Sequence, residues 1–179
     1  GETIILSLDL DTLDYRPRRE PAFPELKNVI KKPLAARIHE ALRLEGRAGE
    51  FLRQVYLPLF NYAAALTGSI CEIPKQIDDA MCWGYGWEIG PFAMMDAAGV
   101  EWAAATMKAA GIEPAPAIVA LLAAQGKDAK WYQGTPGRDR SVFDGKAVAQ
   151  VPVPAGMLIL DGFKPQAEIE TNSSAALID

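Results

Sequence analysis

Apolar residues recur every three to four positions through the middle of the chain, which is the spacing of amphipathic helices. The pattern predicts a series of helices between residues 25 and 126, with prolines and glycines at their ends. The longest follows Gly49, and Pro58 inside it predicts a kink because proline cannot donate a backbone hydrogen bond. Its predicted core-facing stripe consists of Phe51, Leu52, Val55, Leu59, Ala63 and Leu66.

The two ends of the chain show other patterns. Residues 3–11 alternate between apolar and polar and predict a half-buried strand, whereas the prolines of residues 15–24 predict an extended connector outside any sheet. Beyond the helices, aromatic pairs separated by turn residues predict a small β-hairpin, and a proline- and glycine-rich tail predicts a linker. We therefore expect a mainly α fold, a compact helical bundle with short β-elements at the N-terminus and in the C-terminal third. The predicted segments are a strand and linker at 1–24, the helical domain at 25–126, the hairpin at 127–150 and the tail at 151–179.

Composition narrows the class of protein. Half of the 179 residues are hydrophobic and 23% are charged, a balance that supports a packed core. The formal net charge of -5 gives no general attraction for nucleic-acid phosphates. No apolar run reaches the roughly 18 residues of a membrane helix, and the chain does not open with the basic-then-apolar order of a signal peptide. We expect a cytoplasmic protein with neither a nucleic-acid partner nor a membrane insertion.

Few side chains offer catalytic chemistry. His39 is the single imidazole, and its place beside the apolar face of its helix indicates a structural histidine. Cys71 and Cys82 have apolar neighbours, so we expect two ordinary buried thiols rather than a nucleophile or a disulfide. Asp78 and Asp79 point about 100° apart on a helix, which favours stabilisation of the helix dipole over shared acid–base work. Without clustered cysteines or histidines, no metal ligand is predicted.

A glycine-rich stretch with large aromatic residues lies at residues 83–87. Gly84 and Gly86 follow a predicted helix, whereas dinucleotide-binding glycines follow a strand, so helix termination is preferred to cofactor binding. The aromatic side chains fit a ligand groove, a protein interface or core packing, of which core packing is preferred. They are Trp83, Tyr85 and Trp87.

The segment from residue 77 to residue 92 reads Ile-Asp-Asp-Ala-Met-Cys-Trp-Gly-Tyr-Gly-Trp-Glu-Ile-Gly-Pro-Phe and is followed by Asp96 and Gly99-Val100. This pattern resembles the signature of 3-hydroxyacyl-CoA dehydrogenase C-terminal domains. The resemblance is strongest between Gly49 and Gly111. It implies a structural role for the signature residues, and a positive φ at Gly84 or Gly90 would make alanine destabilising there. The signature residues are Asp78, Gly84, Gly86, Gly90, Pro91, Phe92 and Asp96.

The flanking segments are similar to linkers of bacterial multifunctional fatty-acid β-oxidation enzymes. The resemblance implies a second copy of the C-terminal domain, excised between an upstream NAD-binding domain with a first C-terminal-type domain and a downstream crotonase-like hydratase domain. The catalytic histidine and glutamate of the family then lie upstream, so no catalytic or cofactor-binding residue is assigned here. NAD and 3-hydroxyacyl-CoA are expected to bind the parent enzyme, and the isolated chain is expected to be inactive.

The resemblance also implies an apolar face that contacts the acyl chain or a neighbouring domain. Trp83, Tyr85, Trp87 and Phe92 are the residues predicted for it. The alternative hypothesis is a stand-alone helical module that binds another protein through the aromatic residues between Trp83 and Trp87.

Overall fold

The computed structural model describes residues 4–18, 22–163, 168–171 and 176–178. Helices dominate this part of the chain, which confirms the mainly α class predicted from sequence. The α-helices are α1 (Leu26–Val29), α2 (Leu34–Ala41), α3 (Gly46–Ala65), α4 (Pro74–Tyr85), α5 (Pro91–Ala98), α6 (Val100–Ala109) and α7 (Pro116–Gln125). Within these residues no helix has both the length and the apolar character needed to cross a membrane.

The strands form three small antiparallel sheets. An N-terminal hairpin pairs β1 with β2, a three-stranded sheet has the order β3-β4-β5, and a last hairpin pairs β6 with β7. The strands are β1 (Leu6–Leu8), β2 (Tyr15–Pro17), β3 (Tyr132–Gln133), β4 (Ser141–Phe143), β5 (Val148–Gln150), β6 (Glu168–Thr171) and β7 (Ala176–Ile178). The predicted hairpin after the helices therefore has a third strand.

Proline and glycine set the helix ends that matter for the site. Pro74 and Pro91 are the first residues of α4 and α5, where the missing N–H leaves no intrahelical bond unmade. Gly86 ends α4 with φ +70°, a left-handed conformation that glycine adopts without steric cost. The predicted starts and stop of these two helices are thus confirmed.

The core lies where α3, α5, α6 and α7 meet. Leu57 and Phe60 of α3 pack into one buried cluster with Phe92 and Met95 of α5. Trp131, at the start of the small sheet, is fully buried in the same cluster. The sheet and the helices therefore share a single hydrophobic core across the predicted boundary at residue 126.

The predicted core-facing stripe of α3 is wrong for its most prominent members. Phe51 and Val55 are exposed, whereas Leu57, Phe60 and Ala64 are buried. Apolar residues occupy both sides of this helix, so periodicity alone could not decide which side faces α5 and α7. The kink expected at Pro58 stays a prediction.

The N-terminal segment also departs from expectation. Leu6 and Leu8 lie in a strand, but both are exposed rather than half-buried. The predicted connector instead contains strand β2, Tyr15–Pro17, which pairs with β1. The sheet tolerates Pro17 because this residue lies at the end of an edge strand, where its missing N–H leaves no ladder hydrogen bond unmade. Residues 19–21 of that connector lie outside the described residues.

Candidate functional site

A buried carboxylate joins two of the signature helices. Asp78 of α4 accepts hydrogen bonds from the backbone N–H of Phe92 (2.8 Å) and of Ala93 (3.0 Å), both in the first turn of α5. It also accepts one from the hydroxyl of Tyr132, at 2.9 Å. The first N–H groups of a helix have no intrahelical acceptor, and a carboxylate there also interacts favourably with the helix dipole. Asp78 therefore stabilises the start of α5 rather than its own helix, which corrects the role preferred from sequence.

Gly90 makes this contact sterically feasible. A Cβ atom at Gly90 would lie 2.3 Å from the Cα and 2.4 Å from Oδ1 of Asp78, far closer than nonbonded atoms approach. The φ of Gly90 is -83°, a value open to any residue, so close approach rather than backbone conformation requires glycine. Gly84 has no heavy atom within 4 Å of its added Cβ and lies in the last turn of α4. Neither glycine has the positive φ considered from sequence.

A second carboxylate ties α5 to the small sheet. Asp96 accepts hydrogen bonds from the backbone N–H of Trp131 at 2.7 Å and of Tyr132 at 2.9 Å. The indole of Trp131 packs edge-on against Phe92, with ring centroids 4.8 Å apart. Asp78, Asp96 and Tyr132 thus form a network, here called the carboxylate network, that fixes α4, α5 and β3 relative to one another.

Burial dominates the electrostatics of the carboxylate network. It raises the pKa of Asp78 to about 6, although the hydrogen bonds from Phe92, Ala93 and Tyr132 act in the opposite direction. It raises the pKa of Asp96 to about 7 against the same kind of opposition from the backbone N–H groups of Tyr132 and Trp131. Burial and the nearby Asp78 raise the pKa of Tyr132, so its phenol keeps the proton that it donates.

An apolar groove lies beside the elements that the carboxylate network holds together. It has a volume of about 330 Å³ and lies between α2, α3 and the loop that joins α4 to α5. Apolar side chains of Ile38, Leu52, Tyr56, Trp87 and Ile89 line it. Arg37 and Glu88 also line the groove and add one charge of each sign.

A second cleft, of about 460 Å³, lies between α4, the start of α5, the small sheet and residues 150–159. Its charged lining mixes both signs, and Lys75 forms an ion pair with Asp79. The guanidinium of Arg140 lies over the ring of Tyr132, 4.6 Å from its centroid. Apolar side chains, among them Ile73, Met157 and Ile159, line the rest of the cleft.

The predicted aromatic face divides into three environments. The side chains of Trp83 and Tyr85 are 78% and 76% exposed, so the preferred core packing is wrong for both. Trp87 is half-buried against the core and lines the apolar groove. Phe92 is fully buried beside Trp131 and is removed from the predicted contact face.

The remaining candidate side chains lie apart from the network. His39 is exposed. Cys71 and Cys82 are half-buried rather than buried, and desolvation raises the pKa of each thiol, which disfavours the nucleophilic thiolate. Among the residues that the structure describes, no group of three or more His, Cys, Asp or Glu side chains is arranged to hold a metal ion.

Sequence reasoning missed Tyr132, although it noted the Trp-Tyr pair as part of a hairpin. Its hydroxyl meets Asp78 across 54 positions of sequence, a separation that no local spacing rule reaches. Asn61 is a second such residue, because its amide bonds to Glu113 and Ala115 and fastens α3 to the start of α7.

Comparisons with known proteins agree with the signature. Residues 49–133 match the family model for the 3-hydroxyacyl-CoA dehydrogenase C-terminal domain. The chain is 35% identical over 114 residues to a probable 3-hydroxyacyl-CoA dehydrogenase of Bacillus subtilis (strain 168). That alignment covers 63% of this chain and 14% of the relative, so the chain spans only a small part of that protein's length. No solved structure matches the chain. Residues 49–133, which contain most of α3, all of α4 to α7 and the carboxylate network, are therefore similar to the 3-hydroxyacyl-CoA dehydrogenase C-terminal domain family.

Proposed function

We propose that the chain is a non-catalytic domain of an NAD-dependent 3-hydroxyacyl-CoA dehydrogenase, an oxidoreductase of fatty-acid β-oxidation that converts 3-hydroxyacyl-CoA to 3-oxoacyl-CoA. The observation that carries the proposal is the engagement of Asp78 and Asp96 with backbone N–H groups. A general base needs a free lone pair aimed at substrate, and these carboxylates direct theirs into the protein frame. Their place in the domain is to hold α4, α5 and the sheet rigid.

The apolar groove is the surface that this frame presents to substrate. Its lining by Ile38, Leu52, Tyr56 and Trp87 suits an acyl chain, because each methylene group removed from water stabilises the complex by about 0.8 kcal/mol. Arg37 at the groove provides a cation for the anionic part of a CoA ester. The domain thus covers the acyl part of 3-hydroxyacyl-CoA while a different domain binds NAD and carries out hydride transfer.

The parent enzyme in this proposal contains an NAD-binding domain, a first C-terminal-type domain and a crotonase-like hydratase domain, and it works in the cytoplasm. The much greater length of the Bacillus subtilis relative supports further domains in the parent. The mass of the native polypeptide in its source cells, detected with an antibody to this chain, tests this point. A product several times larger than 19.4 kDa is expected, and a native product of 19.4 kDa would contradict the multidomain parent.

Two measurements on the full chain test the catalytic and the binding parts. Incubation with NAD⁺ and a 3-hydroxyacyl-CoA should give no NADH, and sustained turnover would overturn the non-catalytic assignment. Calorimetric titration with acyl-CoA esters of increasing length should show affinity that rises with chain length. The variant Trp87→Ala should weaken this binding at least tenfold, whereas Trp83→Ala, outside the groove, should leave it unchanged. Equal effects of the two variants would contradict the groove as the acyl site.

A second candidate function is favoured by the exposure of Trp83 and Tyr85. Two large aromatic rings on one helix end, each about three-quarters in solvent, are typical of a protein-binding surface. In that case the chain is a free-standing interaction module. A 19.4 kDa native product that loses its cellular partner in the double variant Trp83→Ala, Tyr85→Ala would favour this function over the first.

A further inference from the structure

The cleft between α4, the small sheet and residues 150–159 has walls that the fold holds in place. At one end of the 150–159 wall, the backbone N–H of Val151 donates to the carbonyl of Arg140 at 2.9 Å. At the other end, Ile159 packs so closely on Gly137 that an added Cβ atom there would lie 2.6 Å from the Cβ of Ile159. The volume of about 460 Å³ lies within the range of roughly 300–1,000 Å³ that is usual for small-molecule sites.

Arg140 lines this cleft with a guanidinium group that the protein already orients. The group lies over the ring of Tyr132, 4.6 Å from its centroid, and donates one hydrogen bond to the carbonyl of Gly134 at 3.1 Å. A guanidinium has five N–H groups, and among the described residues this carbonyl is the one acceptor that Arg140 has. The remaining donors suit a carboxylate, because arginine and carboxylate pair through two parallel hydrogen bonds.

The acidic side chains of the cleft are either engaged or exposed. Asp78 accepts three hydrogen bonds, and Asp79 forms an ion pair with Lys75. Glu88 is exposed, so water and salt screen its charge. The charged residues of the lining are Lys75, Asp78, Asp79, Glu88, Arg138 and Arg140. Because acidic and basic residues are equal in number, a single negative charge at Arg140 is better matched than the two charges of a phosphate.

We propose that the cleft binds the anion of a small aliphatic carboxylic acid, with its carboxylate on the guanidinium of Arg140 and its chain against Ile73, Met157 and Ile159. Burial of methylene groups against these apolar side chains provides affinity, and the carboxylate fixes the orientation. An acyl-CoA ester has no carboxylate on its acyl chain, so this ligand differs from the substrate proposed above. The cleft is a second site, and the proposal holds whether or not the groove beside Trp87 takes an acyl chain.

Calorimetric titration of the full chain with octanoate tests the site. Octanoate should bind at millimolar concentration or below. Octanamide has the same chain without the charge, and acetate has the charge without the chain, so each should bind at least tenfold more weakly. A chain that does not bind octanoate at millimolar concentration would overturn the site. Equal affinities for octanoate and octanamide would overturn the recognition of a carboxylate.

The variant Arg140→Gln tests the residue that holds the carboxylate. It should weaken octanoate binding at least tenfold and leave octanamide binding unchanged, because the amide does not use the charge of the guanidinium. A variant whose cleft is merely distorted would lose both ligands, and equal losses would overturn the contact between Arg140 and the carboxylate. Arg47→Gln is the matched control, since Arg47 is exposed and does not line the cleft, and it should bind both ligands normally.

Two further variants distinguish the cleft from the groove beside Trp87. Met157→Asp puts a negative charge on the apolar wall of the cleft and should weaken octanoate binding at least tenfold. Met157 is 49% exposed, so circular dichroism should give the native spectrum. Trp87→Ala alters the groove and should retain octanoate binding. Loss of octanoate binding in Trp87→Ala, with normal binding in Met157→Asp, would place the ligand in the groove and overturn the cleft as its site. Titration of the same two variants with acyl-CoA esters reports on the proposed acyl groove separately.

Discussion

Two glycines of the signature should respond to alanine in opposite directions. Replacement of Gly90 puts a methyl group 2.3 Å from the Cα and 2.5 Å from the Cβ of Asp78. The first of these atoms is backbone, so rotation of a side chain cannot relieve the clash. Either α4 or the start of α5 must move, and movement of either withdraws Asp78 from the N–H groups of Phe92 and Ala93.

The expected loss of stability in Gly90→Ala is the sum of the steric overlap and the lost hydrogen bonds to Asp78. Overpacking of a close contact costs about 1–3 kcal/mol. Loss of hydrogen bonds to a buried charged group costs roughly a further 1.5–3 kcal/mol. We expect Gly90→Ala to lower the free energy of unfolding by about 3–5 kcal/mol. Gly84→Ala adds a methyl group in open space within α4 and should raise stability by up to about 0.5–1 kcal/mol, because alanine fixes a helical backbone at less entropic cost than glycine.

Urea denaturation of both variants beside the unchanged chain measures the two effects. The midpoint should fall strongly for Gly90→Ala and should stay level or rise for Gly84→Ala, with similar slopes in all three proteins. A loss below about 1 kcal/mol for Gly90→Ala would refute the close approach of α4 and α5. Equal losses at the two glycines would show that the signature needs both backbones for another reason.

Three further outcomes test the carboxylate network. Asp78→Ala leaves three donors without an acceptor and should lower the free energy of unfolding by about 3 kcal/mol or more, whereas Asp79→Ala, which breaks a surface ion pair, should cost at most about 1 kcal/mol in the same urea assay. Tyr132→Phe removes one hydrogen bond to Asp78 and should lower the melting temperature by less than Asp78→Ala does; a larger effect would place the main role of Tyr132 elsewhere. The pKa values of Asp96 (about 7) and Asp78 (about 6) in the folded protein lie above the ordinary 3.8. The folded protein therefore binds more protons than the unfolded chain between about pH 4 and about pH 7. This contribution to stability should therefore be complete below about pH 4, fall as the pH rises through 6 and 7 and then level off; Asp96→Asn should flatten the profile, and an unchanged slope in that variant would contradict the raised pKa.

The sequence was most informative where local chemistry sets an element boundary. Pro74, Pro91 and Gly86 marked the helix ends correctly, because fixed φ and left-handed φ are properties of single residues. The prediction of the core-facing side of α3 was wrong, because Phe51 and Leu57 are both apolar and only the position of the neighbouring helices decides which of them is buried. That information lies in tertiary packing, which a local period does not contain.

For the candidate site, too, the sequence identified some residues correctly and missed their long-range contacts. The resemblance identified Asp78 and Asp96 as structural, and their hydrogen bonds to backbone N–H groups give each a physical role. The sequence could not identify the groups that donate hydrogen bonds to these two carboxylates, since Tyr132 is far away along the chain and Asp78 was expected to serve its own helix. The exposure of Trp83 was missed for a related reason: a large aromatic residue on a helix is usually buried, and nothing local shows that the helix ends beyond the core.

The geometry explains why two separate parts of the signature occur together. The aspartate of the Ile-Asp-Asp-Ala-Met segment needs unpaired N–H groups, and the Gly-Pro-Phe segment supplies them at the start of a helix. Gly90 admits the aspartate backbone, Pro91 begins the helix without wasting a donor, and Phe92 donates its N–H while its ring anchors the turn against Trp131. Each residue depends on the other half of the pair, so replacing one half alone should remove the stabilisation from both. Because all these groups face inward, the signature accounts for the rigidity of the domain. The surfaces of this domain that remain open to a ligand or partner then include the groove beside Trp87 and exposed side chains such as Phe51 and Tyr62 of α3.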